Sequence, residues 1–273
     1  MKTQNDEMKQ VWLFFALTYA FSWLFWIPNA LSARGVALPA GLADFLAGPF
    51  NPAAFGPFVS AFVLTFFQQG GRGVLALLKR GIDLRFRKIW LLAILLGPLL
   101  LFGGAIGVSI LAGVRAADFS VLSNLPYALV GFFVILFTAG PLQEEFGWRG
   151  YALPRLQARF NDLAASAILG VFWWLWHLPA VFIPGRFMAD TLTVFLALLV
   201  VIVLTSFLFT WIYNGTNGSV LAAMLTHAAM NWSIWVAMPD MKMDLPTSGF
   251  IIGFLALAAV ALIAFRASPR RSG

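Results

Sequence analysis

Eight long apolar stretches constrain this chain more than any other feature of its sequence. A helix that crosses a bilayer needs about 20 mostly apolar residues, and stretches of that kind recur along the whole length. They lie at residues 11–33, 51–68, 89–114, 126–143, 163–183, 191–213, 219–238 and 248–266. Of the 273 residues, 61% are hydrophobic and 11% are charged, whereas soluble domains have about 25% charged residues. The sequence therefore predicts an all-α fold, in which residues 1–273 form a single transmembrane domain of about eight helices.

The distribution of Lys and Arg predicts how this bundle is oriented. If the N-terminus lies inside, the inner segments hold fourteen of the eighteen basic residues and the outer segments hold four. Because cytoplasmic loops of membrane proteins collect basic residues, we expect both termini inside. The same rule accounts for the net charge of +7, so we expect lipid rather than nucleic acid as a partner. The basic segment 69–88 should lie on the inner membrane face, where anionic lipid attracts it.

Few strongly polar side chains fall within the predicted spans, and these few side chains come from three spans. Glu144 and Glu145 end the fourth span, His177 lies in the fifth, and His227 lies in the seventh with Asn231 four residues later. The chain has only two histidines, and polar groups at membrane depth are costly and tend to be functional. We therefore predict one shared polar site built from helices 4, 5 and 7, in a catalytic core at about 126–238.

Residue spacing suggests how the charges of this site are divided. Residues four apart lie on one helix face, which pairs Glu145 with Arg149. Adjacent residues point about 100° apart, so Glu144 is left to face elsewhere. An unpaired carboxylate in an apolar setting can act as an acid or base near neutral pH. We expect a histidine on another helix to be its partner.

Each residue also has a purely structural interpretation. Glu145 and Arg149 could form a simple helix-end ion pair, and His227 with Asn231 could join two helices by hydrogen bonds. The tryptophans of the stretch "FWWLWH" are more typical of a membrane belt or of packing than of substrate contacts. The shared site is favoured because both histidines and the paired carboxylates all lie on membrane helices.

Several kinds of hydrolytic site are excluded by motifs that the sequence lacks. It has neither the His-Glu-x-x-His motif of zinc proteases nor the Gly-x-Ser-x-Gly motif of serine hydrolases. It has no cysteine, which excludes thiol nucleophiles, disulfides and thiolate zinc sites. One carboxylate and two imidazoles remain as the reactive groups.

These groups support hydrolysis in two ways. In the first, Glu144 and His177 activate a water molecule. His227 and Asn231 then donate hydrogen bonds to the developing oxyanion. In the second, a zinc ion is bound by Glu144, His177 and His227. A proton-coupled transporter is a further alternative, but it would more often show paired repeats and broken helices.

Three short motifs, in this order and on separate hydrophobic helices, resemble those of a known family. They are "EEFGWR" at 144–149, "WWLWH" at 173–177 and "HAAMN" at 227–231. In combination they resemble the CPBP family of intramembrane proteases, also called the CAAX protease and bacteriocin-processing (Abi) family. The family usually has Phe four residues before the histidine of the second motif. Here Trp173 takes that place, and we expect it to keep a supporting, packing role.

The resemblance implies an intramembrane endopeptidase that acts on membrane-associated peptides or protein tails. It implies that Glu144 is the catalytic base with His177 as its partner. It implies that His227 and Asn231 stabilise the oxyanion, while Glu145 with Arg149 orients the first motif. A metal-free, glutamate-type mechanism is favoured over a zinc enzyme. A non-proteolytic scaffold or regulator of another membrane protein is the alternative.

The location of the site can also be predicted. The carboxylates fall at the inner end of the fourth predicted helix, so we expect a substrate that reaches them from the cytoplasmic side. The short loops suggest a bacterial protein, and therefore a multi-pass protein of the cytoplasmic membrane.

Overall fold

All regular elements in the described part of the chain are helical. The computed structural model describes residues 4–48 and 51–267. The α-helices are α1 (Gln4–Ser32), α2 (Ala40–Ala47), α3 (Gly56–Arg80), α4 (Trp90–Pro98), α5 (Gly104–Leu111), α6 (Leu125–Thr138), α7 (Pro141–Gly147), α8 (Leu153–Gln157), α9 (Asp162–Trp176), α10 (Leu192–Gly215), α11 (Val220–Ala237) and α12 (Leu245–Ala267). π-helical turns at Leu99–Gly103 and Trp148–Ala152 join α4 to α5 and α7 to α8. The predicted all-α fold is confirmed.

The predicted number of membrane spans is also confirmed. Within the described ranges, seven segments are long and apolar enough to cross a membrane, and a bent pair of segments makes up an eighth. The third span is the continuous run of α4, a π-helical turn and α5. Lys2, Arg270 and Arg271, which contributed to the predicted orientation, lie outside the described residues. The orientation itself stays a prediction.

The fourth span is broken, which the sequence did not predict. α6 ends at Thr138, α7 begins at Pro141, and the two segments meet at 41°. Gly140 adopts a φ of 109°, which glycine tolerates and other residues adopt at a cost, and Pro141 has no amide hydrogen to continue the helix. Helical turns then run on to Gln157. The predicted end of this span at residue 143 is therefore wrong, and Glu144 lies in the first turn of α7, within a longer bent element.

Side-chain hydrogen bonds satisfy the backbone at this break. Gln143 donates from Nε2 to the carbonyl of Phe137 and accepts at Oε1 from the amide of Gly140, both at 3.1 Å. Asn231 of α11 donates from Nδ2 to the carbonyl of Ala139 at 2.9 Å. Unpaired backbone groups are costly at membrane depth because water is not there to bond them. Gln143 and Asn231 thus stabilise the bend that positions α7.

α3 supports α7 through a close backbone approach. It extends beyond the predicted second span to Arg80, with a kink at Gly70, so residues 71–80 of the predicted surface segment continue as a helix. Near its start, Pro57 lies against Gly147 of α7, where a β-carbon would come within 2.5 Å of the Pro57 carbonyl oxygen. Only glycine at position 147 permits this approach.

We predict that Gly147→Ala separates α3 from α7 and lowers the free energy of unfolding. An overpacked core costs about 1–3 kcal/mol, and the measurement is thermal unfolding of the purified protein in detergent. Gly97→Ala is the matched control, because a β-carbon there meets nothing within 4 Å and alanine is the better helix former. Equal melting temperatures for the two variants would contradict this role of Gly147.

Candidate active site

The predicted polar residues come together where the bent fourth span meets the fifth and seventh spans. α7 carries Glu144 and Glu145, and the π-helical turn that follows it carries Arg149. Trp173 lies in the last turn of α9, with His177 directly after the helix end. α11 carries His227 and Asn231 one turn apart.

The i,i+4 spacing correctly predicted an ion pair between Glu145 and Arg149. Arg149 Nη1 donates to both carboxylate oxygens of Glu145, at 3.0 and 3.1 Å, and both side chains are fully buried. The guanidinium carbon lies 4.6 Å from the ring centres of Trp173 and of Phe209. A buried charge needs a partner and a favourable setting, and the carboxylate together with two aromatic faces supplies them.

Glu145 also fixes the ring of His227. His227 Nδ1 lies 2.8 Å from Glu145 Oε1, the oxygen that Arg149 Nη1 reaches at 3.0 Å. A carboxylate paired with a guanidinium accepts hydrogen bonds, so the hydrogen of the imidazole is on Nδ1. Nε2 is left for other contacts. The hydrogen-bond partner of this histidine is therefore Glu145. The sequence instead predicts that a histidine pairs with Glu144.

Two indole groups, rather than a histidine, bond to Glu144. Its Oε2 accepts a hydrogen bond from Trp173 Nε1 at 2.6 Å and another from Trp148 Nε1 at 3.3 Å. The expected packing role of Trp173 is therefore incomplete, because its nitrogen is a donor to the carboxylate. The other oxygen of Glu144, Oε1, points toward Gly140.

Gly140 marks the point where Glu144 and His227 converge. A β-carbon on Gly140 would lie 2.8 Å from Glu144 Oε1 and 3.3 Å from His227 Nε2. A side chain at position 140 would thus fill the space between these two groups. Sequence reasoning missed this residue, although the Gly-Pro pair directly before the carboxylates was a signal of a break in the helix.

His177 approaches the site from another direction. Its Nδ1 lies 2.9 Å from the carbonyl oxygen of Trp173, and since a carbonyl only accepts, the hydrogen is on Nδ1. Its ring stacks on Phe187 at 4.6 Å. As in His227, Nε2 is left for other contacts, so both imidazoles are held in one tautomer.

The four residues predicted as catalytic border one cavity of about 720 Å³: Glu144, His177, His227 and Asn231. Apolar side chains of α6, α10 and α11, among them Val134, Val201 and Ile234, form part of its wall. Asn231 uses one amide hydrogen for the Ala139 carbonyl, which leaves a second hydrogen and Oδ1 for other partners. A mostly apolar cavity with a few convergent polar groups is the usual form of a ligand site.

Part of the cavity wall comes from the segments that follow α9 and α11. Their polar members at the cavity are Arg186, Asp190, Asp240 and Lys242. In the predicted orientation these two segments lie on the outer face. The cavity therefore extends toward these two segments, and the approach of the substrate from the cytoplasmic side stays a prediction.

The described residues contain no group of three His, Asp or Glu side chains that could hold a metal ion. The alternative zinc set of Glu144, His177 and His227 is thus not gathered as a set of ligands. Glu144 Oε2 faces two indole donors instead, and each imidazole Nδ1 has its own acceptor. The metal-free, glutamate-type mechanism stays a prediction.

Comparison with known proteins agrees with the resemblance drawn from the motifs. Residues 126–233 match the sequence profile of the family described as Type II CAAX prenyl endopeptidase Rce1-like, so the resemblance is confirmed for this segment. The chain is 32% identical over 96 residues to CAAX prenyl protease 2 of Methanococcus maripaludis, which covers 32% of this chain and 34% of that protein. It is 27% identical over 170 residues to Lysostaphin resistance protein A of Staphylococcus haemolyticus, which covers 61% of this chain and 42% of that protein. The matches thus span less than half the length of either relative.

We predict that Arg149→Ala strongly destabilises the protein, because it leaves the buried carboxylate of Glu145 without its cation. Breaking a buried ion pair from one side costs about 3–5 kcal/mol, measured as the loss of unfolding free energy in detergent. Arg85→Ala is the control, since Arg85 pairs with Asp83 at 2.9 Å but is 89% exposed, and exposed pairs contribute little. If Arg149→Ala and Arg85→Ala had the same free energy of unfolding, the ion pair of Glu145 and Arg149 would not stabilise the site.

Proposed function

We propose that this integral membrane protein is an endopeptidase that hydrolyses peptide bonds of membrane-associated peptides or protein tails. The observation that carries the proposal is the convergence of Glu144 Oε1 and His227 Nε2 beside Gly140, at the wall of a cavity. A carboxylate and an imidazole that face one point can act on one reacting bond. The matched family and the printed name of the archaeal relative, CAAX prenyl protease 2, support the same reaction class.

Glu144 is the proposed base. Two indoles bond to its Oε2, so Oε1 is the oxygen that takes a proton from water. His177, whose ring borders the cavity, orients this water through Nε2. The hydroxide adds to the carbonyl carbon of the peptide bond. The protonated Glu144 then gives its proton to the leaving amine as the C–N bond breaks, which restores the carboxylate.

His227 and Asn231 are the proposed donors to the oxyanion formed in that addition. Because the Nδ1 hydrogen of His227 is bonded to Glu145, donation to the oxyanion takes place from Nε2 and needs a second proton on the ring. Asn231 supplies the amide hydrogen that the Ala139 carbonyl does not use. One donor of this kind contributes about 10²–10³-fold to the rate of comparable reactions. Arg149 supports the arrangement through its hydrogen bonds to Glu145.

The cavity wall points to an apolar substrate segment. Val130, Val134 and Ile202 lie along it, and Val130 and Val134 are also exposed on the outer surface of α6. An apolar segment of a peptide, or a lipid attached to it, can be buried there at a gain of about 25 cal/mol per Å². We place the protein in a bacterial cytoplasmic membrane, with lipid around its spans.

A non-proteolytic scaffold or regulator is the second candidate function. The staphylococcal relative matches over more of this chain, and its printed name, Lysostaphin resistance protein A, states a resistance and not a protease. In that case the buried network would serve only to stabilise the bundle. Removing the charge of Glu144 would then leave the effect on the partner protein unchanged.

We predict that Glu144→Gln lowers the rate of peptide cleavage by about 10²–10⁴-fold, the usual contribution of a general acid-base group. The amide keeps an oxygen that can accept the indole hydrogen bonds, so the protein should fold. The measurement is mass spectrometry of a mixed library of apolar peptides incubated with the protein in vesicles. Glu7→Gln is the control, since Glu7 lies near Arg155 at 3.4 Å, away from the cavity. Undiminished cleavage by Glu144→Gln would overturn the proposal.

Metal removal separates the glutamate-type mechanism from the zinc alternative. We expect a zinc chelator to leave cleavage by the purified protein unchanged, because the described residues contain no group of three His, Asp or Glu side chains that could hold the ion. The measurement is the same peptide assay before and after chelation, with metal content determined in parallel. Loss of cleavage that returns with added zinc would instead support the zinc mechanism.

A further inference from the structure

α1 lies outside the matched segment 126–233, yet one of its faces packs against the helix that leads to His177. Phe15, Tyr19 and Trp23 recur every four residues and so share a helix face. Phe15 stacks on Phe172 of α9, with ring centres 4.1 Å apart and ring planes at 3°. This face of α1 is therefore in direct contact with the last turns of α9.

The contact includes two hydrogen bonds to backbone carbonyls of α9. The hydroxyl of Tyr19 donates to the Phe172 carbonyl at 2.6 Å, and Nε1 of Trp23 donates to the Trp176 carbonyl at 3.0 Å. The Trp176 carbonyl is among the last four of α9, which have no partners within the helix and no water to replace them at membrane depth. The Phe172 carbonyl lies just before these four, and Tyr19 is an additional donor to it. α1 thus caps the end of α9 from outside.

The hydrogen bond from Trp23 is made to the peptide group that joins Trp176 to His177. The Trp176 carbonyl and the His177 amide belong to one planar peptide group, so Trp23 fixes the backbone directly before the histidine. The imidazole of His177 is in turn bonded to the carbonyl of Trp173, one turn earlier. Carbonyls of the same helix end therefore take hydrogen bonds from α1 and from the site histidine.

We propose that Tyr19 and Trp23 are positioning residues for His177, so that α1 is part of the active site although no motif marks it. This inference rests on the proposed function for its kinetic consequence but not for its geometric one. Without the Trp23 donor, the Trp176 carbonyl loses its partner and the end of α9 shifts. The imidazole then moves relative to Glu144, and small displacements of this kind can slow a reaction by up to about 10²-fold.

The test uses Trp23→Phe and Tyr19→Phe, which keep the aromatic rings and remove the donors. Leu24→Ala is the control on the same helix, where the side chain is 67% exposed. Trp174→Phe is the control on α9, since it removes an indole hydrogen bond to the Phe195 carbonyl at 2.7 Å. We expect kcat for peptide cleavage to fall by about tenfold in the two test variants, with KM nearly unchanged.

A spectroscopic measurement tests the geometry without any assay of cleavage. The chain has only two histidines, so protein labelled with ¹⁵N at histidine gives two sets of imidazole signals, assigned by replacing each residue in turn. Trp23→Phe should shift the signals of His177 and leave those of His227 in place. The two control variants should shift neither set.

Unshifted His177 signals in Trp23→Phe, or equal changes in the controls, would overturn the positioning role. Full cleavage by Glu144→Gln would refute the proposed function, and the signals of His177 would still decide whether α1 positions this histidine. A rise in KM with unchanged kcat would also contradict the proposal, because it would assign Trp23 to substrate binding.

Discussion

The buried ion pair between Glu145 and Arg149 is the interaction on which the rest of the site depends. Arg149 neutralises Glu145, and Glu145 in turn orients His227 through Nδ1. Without this pair, a carboxylate would be left uncompensated in an apolar interior, which is strongly unfavourable. Glu144, by contrast, accepts hydrogen bonds from two indoles, both at Oε2. Two adjacent carboxylates thus have different surroundings, and in the proposed mechanism they have different roles.

The position of this network follows from the break in the fourth span. At the bend at Ala139 and Gly140, α7 turns away from the axis of α6, and Glu144 and His227 converge beside Gly140. The break exposes backbone groups at membrane depth, and the side chains of Gln143 and Asn231 satisfy them. In the proposed mechanism, Asn231 therefore has two tasks, since one amide hydrogen holds the bend and the other is left for the substrate.

Much of the fold could be predicted from the sequence, because hydropathy reports directly on membrane spans. The pairing of Glu145 with Arg149 followed from helix geometry. The break at Gly140 was not predicted, because a Gly-Pro pair after an apolar stretch is compatible both with the end of a helix and with a bend in it. The donor role of Trp173 and the contacts of α1 with α9 could not be predicted. They depend on which helices become neighbours, and neither hydropathy nor spacing contains that information.

In the proposed mechanism, the polar network at membrane depth cuts peptide bonds through Glu144. The most direct measurement compares the terminal peptides of host membranes that carry either the wild type or Glu144→Gln at equal expression. New peptide termini should appear only with the wild type, and their sequences would identify the natural substrate. Identical terminal profiles would contradict this mechanism and would favour the scaffold function.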